Sequence, residues 1–201
     1  MVASMNTGAQ STTITPTWDI PTANQTLTLI TNSTSSGLGG DHFQRAWGLV
    51  SPAAKTANLN FSSVGDVVAS TIAITCIDQV DISGGVDGAT NPLGECVDNV
   101  GGTNCTIASA GTAGNLLYAA VGFRGADMDP VTLNMGWTES IEVIPTSGAG
   151  DAVVMSAVAA APLDVDWDGQ ATDELAGLMF EIEAEATGLD LIIYRRLTDD
   201  E

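Results

Sequence analysis

The residues whose type and spacing most suggest chemistry are three alternating carboxylates, Asp164, Asp166 and Asp168, in Asp164-Val165-Asp166-Trp167-Asp168-Gly169. Carboxylates at alternate positions converge on a hard cation in the opening half of a calcium loop, and a glycine at the sixth position permits its sharp turn. The pattern then departs. The twelfth position, where such a loop places a bidentate Glu, is Leu175, preceded by Asp173 and Glu174. If the segment is instead a strand, its period of two puts the three carboxylates on one solvent face and Val165 and Trp167 on the other. The strand is our reading, with calcium as the alternative cofactor.

Other reactive constellations are not evident in the sequence. The single histidine, His42, lies in Gly39-Gly40-Asp41-His42-Phe43 and reads as a loop or edge residue. No nucleophile elbow, zinc-binding helix motif or phosphate-cradling loop occurs, and no carboxylate pair is set off by an apolar pocket pattern. A protein without enzymatic activity is therefore expected. Cys96 and Cys105 bracket the polar, Gly-containing stretch 97–104 and are candidates for a loop disulfide. Cys76, in an apolar run, reads as a buried free thiol.

These residues sit in an unusually acidic chain. Its 201 residues carry 25 Asp plus Glu against 5 Lys plus Arg, a formal charge of −20. Such a surface repels phosphate backbones and anionic lipids, so neither nucleic acid nor a membrane is an expected partner. No apolar stretch approaches the roughly 20 residues that span a bilayer. The first residues also lack a basic and apolar leader pattern, so synthesis in a host cytoplasm is expected. Hydrophobic residues make up 44% and aromatics 5%. A core of Ala, Val, Ile and Leu, with 22 Gly for turns, suits strands better than helices.

The elements that must position any site follow a period of two. Strands are expected at 26–31, 44–50, 57–62, 67–77, 104–108, 115–123, 137–144, 152–160, 163–167 and 175–185. The run 67–77 is rich in β-branched residues and reads as a central strand. For 172–186 a helix competes with the strand, whose acidic residues would face water. The stretch 78–102, punctuated by Gly84-Gly85, Asp87-Gly88 and Asn91-Pro92, reads as loop. Residues 1–16 read as an N-terminal arm, 17–186 as one sandwich domain, and 187–201 as a C-terminal arm or edge strand. In that last segment the apolar run holding Leu191, Ile193 and Tyr194 leads into Arg195 and Arg196, and these five are candidate partner-binding residues.

The order of segments resembles the jelly-roll modules of tailed-phage virion proteins. Trp18 precedes an alternating strand, Thr26 to Ile30. It is followed by Ala46-Trp47-Gly48-Leu49-Val50-Ser51-Pro52-Ala53, then Ala57 to Phe61, then an apolar strand ending in Asp78-Gln79. In the second half, Gly114 to Gly122, Trp137-Thr138-Glu139, and the pair 163–167 and 175–184 keep the family's order. The resemblance covers residues 17–186. It departs in lacking a first strand ahead of Trp18, which a tail segment or a neighbouring subunit would then supply.

The resemblance implies an all-β, jelly-roll-like antiparallel β-sandwich with extended arms. It further implies a structural virion protein displayed on the particle, decorating a capsid by binding across the major capsid protein and forming a homo-oligomer such as a trimer. The alternative is an adhesin, fibre or carbohydrate-binding module that recognises a cell surface through its loops. For the acidic segment, the strand reading has a direct consequence. Calorimetric titration with calcium is expected to give no saturable heat and no change in melting temperature; a saturable signal with raised stability would establish the metal loop instead.

Overall fold

In the computed structural model, the described residues are 1–8, 13–20, 23–37, 40–63, 68–78, 80–98, 104–108, 111–125, 132–133, 137–143, 148–156, 163–166 and 174–185. Among them the chain is almost entirely strand, and every strand pairing is antiparallel.

The first half of the chain builds two sheets. β1 (Val2–Gly8), β4 (Thr28–Gly37), β5 (Gly40–Gly48) and β7 (Val68–Thr75) form an inner sheet in the order β4-β5-β1-β7. β2 (Ile14–Asp19), β3 (Gln25–Thr26) and β6 (Asn58–Ser63) form a small sheet ordered β3-β2-β6. A short helix, α1 (Gly85–Ala89), leads into the second half. There β8 (Thr90–Asp98), β10 (Leu116–Gly125), β12 (Thr138–Val143), β13 (Gly148–Ser156) and β15 (Glu174–Ile182) form a five-stranded sheet ordered β12-β13-β10-β15-β8. β9 (Asn104–Ile107), β11 (Thr132–Leu133) and β14 (Leu163–Asp166) form a third, small sheet ordered β11-β14-β9.

The inner sheet is the middle layer of a stack. Alternation along β1 sends Val2 to one side and Ala3 and Met5 to the other. On the first side, Val2, Ala46 and Ala73 meet Leu116, Tyr118, Ala120, Leu178, Phe180 and Ile182 of the five-stranded sheet. Tyr118 and Phe180 are directly paired across β10 and β15, and their rings stack at 4.8 Å. On the second side, Ala3, Met5 and Trp47 pack with Ile14 and Leu27, and Leu59 and Phe61 of β6 close over them. Trp47 meets Phe61 edge-on at 6.0 Å. At the margins β4 lies against β8 and β7 against β13, so the two larger sheets face each other along their length, as in an aligned sandwich.

Polar side chains thread this apolar interface. Ser4, Ser33 and Gln44 are fully buried. Gln44 Nε2 donates to Ser4 Oγ at 2.8 Å, and Ser33 Oγ donates to the carbonyl of Cys96 at 3.1 Å, tying β4 to β8 across the sandwich. Buried polar atoms demand partners. A one-residue slip of β1 would turn Ser4 into the all-apolar opposite layer, so these bonds help fix the register.

Several expectations need correction. Residues 1–16 are not an arm. They contain β1, hydrogen-bonded to β5 on one side and β7 on the other, and the first half of β2. The strand expected to be missing ahead of Trp18 is therefore present in this chain. The signal was hidden because β1 is buried on both faces by small residues, so Val-Ala-Ser-Met shows no polar alternation. The run 67–77 does contain a strand, β7, but at the margin of its sheet. The stretch 78–102 is not simply loop: it holds α1 and the nine-residue β8. Pro92 is tolerated there because β8 is the outermost strand and its register with β15 shifts at this point, as prolines in sheets require. Gly94 has a separate cause, since a Cβ there would lie 2.8 Å from Ile107 Cγ2. At the chain's other end, β15 is a strand and the competing helix does not form.

The all-β antiparallel sandwich is thus the observed architecture. Jelly roll is a finer assignment, and here the two facing sheets draw their strands from separate halves of the chain, 2–75 and 90–182. The stacked aromatic pair gives a test of where stability resides. Phe180→Ala is expected to lower unfolding free energy in urea by about 3–5 kcal/mol, the usual cost of emptying a buried Phe site. A loss under about 1 kcal/mol would place the core elsewhere.

Candidate functional site

A concavity among the described residues lies at one end of the sandwich, a cavity of about 350 Å³ that is partly open. Its floor is made by Val2 at the start of β1, Ile30 near the start of β4 and Ile182 at the end of β15. Leu49 to Pro52, following β5, form one wall; the other is made by Ile77, Val80 and Ile82 with Val86 and Ala89 of α1. Asp78 and Glu185 stand at the rim, both exposed. The result is a hollow of mixed lining, with aliphatic side chains on its floor and walls and two carboxylates at its mouth.

Local sequence explains how the walls are held. Met1 and Leu49 exchange backbone bonds: the Leu49 N–H donates to Met1 O at 2.8 Å, and the Met1 amino group donates to Leu49 O at 2.9 Å. In the opposite wall Asp81 caps a turn by accepting from the Ser83 N–H at 2.9 Å. That backbone bond, with help from the Ser83 hydroxyl, holds the Asp81 carboxyl below its usual range. Gly85 follows with φ of +70°, the left-handed region that favours glycine. α1 can then seat on the end of β5 because residue 48 is glycine; a Cβ there would press on Val86 at 3.0 Å. The whole segment is stapled to the continuation of β15 by Asp81 N–H to Glu183 O at 3.0 Å and Glu183 N–H to Ala89 O at 2.9 Å, beside a Val80–Ala184 bridge. Ser51, on the cavity wall, has φ of +46°, an uncommon conformation for a residue other than glycine, and more so just before a proline.

The residues singled out from sequence fall as follows. Asp164 and Asp166 lie on β14, in register with Thr106 and Asn104 of β9; their side chains, and Asp168 as a whole, lie outside the described residues. Among the described residues no group of three His, Cys, Asp or Glu side chains is placed to hold a metal ion. Cys96 is disulfide-bonded. Cys105 belongs to β9, and its side chain lies outside the described residues. Cys76 is a free thiol as expected, but exposed and not buried, because β7 ends one residue before it. Leu191, Ile193, Tyr194, Arg195 and Arg196 lie outside the described residues. Of the tryptophans, Trp47 and Trp137 are buried and Trp18 half-buried, so none of these three offers an open stacking face.

One buried carboxylate was missed by sequence reading. Strict alternation at the end of β15 suggested that its glutamates face water, yet Glu181 is only 4% exposed. The turn ahead of β10 folds over it. Its carboxylate accepts from Thr112 N–H at 2.7 Å, Asn91 Nδ2 at 2.9 Å and Thr112 Oγ1 at 3.3 Å. Burial is the largest single influence and opposes the charge, but the bonds from Asn91, Thr112 and Asn115 together outweigh it and hold the carboxyl below its ordinary value. Through this one side chain the 111–115 turn and β8 are tied to β15.

The sign of the resulting pH dependence follows directly. A carboxyl depressed in the folded state contributes stability fully above the unfolded pKa, about 4.3, and loses it as pH falls through the folded value. Glu181→Gln should therefore be less stable than the parent at neutral pH, with the difference shrinking as pH falls below about 4. Urea denaturation across that range reads the difference, and a gap independent of pH would contradict the charged, hydrogen-bonded role.

Compared with known proteins, the chain matches no family model, no curated protein and no solved structure.

Proposed function

We propose that this chain is a non-enzymatic structural protein of a virion, a decoration or auxiliary protein that binds across major capsid subunits and stabilises the shell. The observation that carries the reading is the outer edge of the five-stranded sheet. Among the described residues β12 pairs with β13 only, and the four-stranded inner sheet ends at β7, which lies against β13. β12 is thus one strand beyond the covered part of the sandwich. An outermost strand presents a row of backbone donors and acceptors, the standard template for strand addition by a neighbouring chain.

The remaining support is general. The chain's charge of −20 keeps a surface-displayed protein soluble and favours a basic partner surface. The layered all-β body suits a role performed through shape. The jelly-roll resemblance in segment order points to virion proteins, and a homo-oligomer centred on a capsid symmetry axis, such as a trimer, is part of the proposal. The adhesin reading draws less support, since Trp47 and Trp137 are buried where sugar binding would want exposed rings.

Particles purified with this protein bound, and particles stripped of it, should differ in the temperature at which the shell opens. Re-addition of the parent protein should restore the difference. The Ser140→Pro variant should restore it poorly: Ser140 is the extra residue where β12 slips register with β13, a position where proline is tolerated within the sheet but spoils its outer edge. Shells of equal stability with and without the protein would remove the cementing role.

A further inference from the structure

We propose that the end cavity is a docking site for the chain's own C-terminal segment, residues 189–197, whose apolar side chains fill the hollow while Arg195 and Arg196 meet its acidic rim. This goes beyond the virion reading and stands or falls without it. Residues 186–201 lie outside the described residues, so their sequence, and the cavity they would meet, carry the argument.

Three observations converge on this occupant. The first is shape and chemistry. The cavity of about 350 Å³ presents aliphatic side chains, among them Val2, Ile30, Val80, Ile82 and Val86, interspersed with polar groups over about half of its lining, and Ile82 is 48% exposed. The aliphatic part gains by receiving apolar groups, and Leu189, Leu191, Ile192, Ile193 and Tyr194 supply them within six positions, with Asp190 the one charged residue among them.

The second is charge. Asp78 and Glu185 line the mouth, with Asp81 and Glu183 alongside on the backbone-paired segments. In a chain with only five Lys and Arg, two of them follow the apolar run directly. Exposed ion pairs contribute little affinity, on the order of 0–1 kcal/mol each, but they select the direction in which an apolar segment enters.

The third is the tether. Glu185 is itself a cavity residue, and Leu191 follows six positions later. At about 3.3–3.6 Å per residue the segment can reach any part of the hollow. A short linker also raises its effective concentration to roughly the millimolar range, so even a weak contact would be occupied. The chain has already begun to pair with this wall, through the Val80–Ala184 bridge.

A photo-cross-linking residue at position 82 of the full chain tests the proposal, because Ile82 is exposed and its replacement leaves the core intact. Irradiation of dilute protein should give an adduct within one chain, mapped by mass spectrometry to residues 189–197. Ile193→Glu should abolish the adduct and Arg195→Glu with Arg196→Glu should weaken it severalfold, while circular dichroism stays unchanged. In parallel, an environment-sensitive apolar dye should bind the Ile193→Glu chain severalfold more than the parent, since the hollow is then vacant. An adduct joining two copies would overturn docking within the chain and assign the cavity to a neighbour's segment. Adducts elsewhere or none, with equal dye binding, would overturn the proposal outright.

Discussion

From Val2 to Met5, β1 has no side that faces water. Its backbone is paired to β5 and β7, Val2 lies under the five-stranded sheet, and Ala3 and Met5 lie under β2 and β6. Everything else in the structure leans on that placement. The inner sheet is continuous only because β1 bridges β5 to β7, two strands that do not pair with each other. Both cores contain residues of β1, so the two hydrophobic clusters share one backbone. Small side chains are what make this work: Ala3, Ser4, Ala46 and Ala73 are all buried, and their size allows layers on both faces to approach closely.

The same arrangement creates the cavity. The beginnings of β1 and β4 and the end of β15 come together at one end of the stack, and the floor is what Val2, Ile30 and Ile182 leave there. Backbone bonds between Met1 and Leu49 hold one wall to β1 itself. The opposite wall, 80–89, is fixed to the continuation of β15 rather than to its own neighbours in sequence. A long-range staple of this kind explains why a Gly-rich stretch can form a defined wall. Burying Glu181 at the far side of β15 works on the same logic, since a carboxylate satisfied from three directions pins the turn before β10. Buried charge is tolerated because every available donor is spent on it.

The strands that alternate, or that carry long β-branched runs, were legible in the sequence: β6, β7, β10, β12, β14 and β15 lie where their patterns place them, and β13 overlaps its expected span but begins four residues earlier. What could not be read was which side of a pattern faces what. β1 escaped notice because a doubly buried strand of small residues looks like an unstructured Ser/Thr-rich end. β8 escaped because Asn91-Pro92 and Gly94 read as turn punctuation, whereas each answers a local demand, an outermost strand at a register shift and the close approach of Ile107. Glu181 was read as solvated because alternation identifies faces without saying whether a distant turn covers one of them. The cavity was invisible for the same reason: its walls come from five separated segments, and only the tertiary staples bring them together. The free thiol at Cys76 was legible, its exposure was not.

The claim on which the rest depends is that residues 2–8 form a core strand instead of an arm, and native-state hydrogen exchange tests it most directly. Amides of Ala3 to Thr7 lie in the middle of a sheet, so they should exchange only through global unfolding, as slowly as those of β10 and with the same denaturant dependence. Exchange of these amides at rates near those of an unstructured peptide, while β10 remains protected, would contradict the account and return the first residues to the role of a detachable arm.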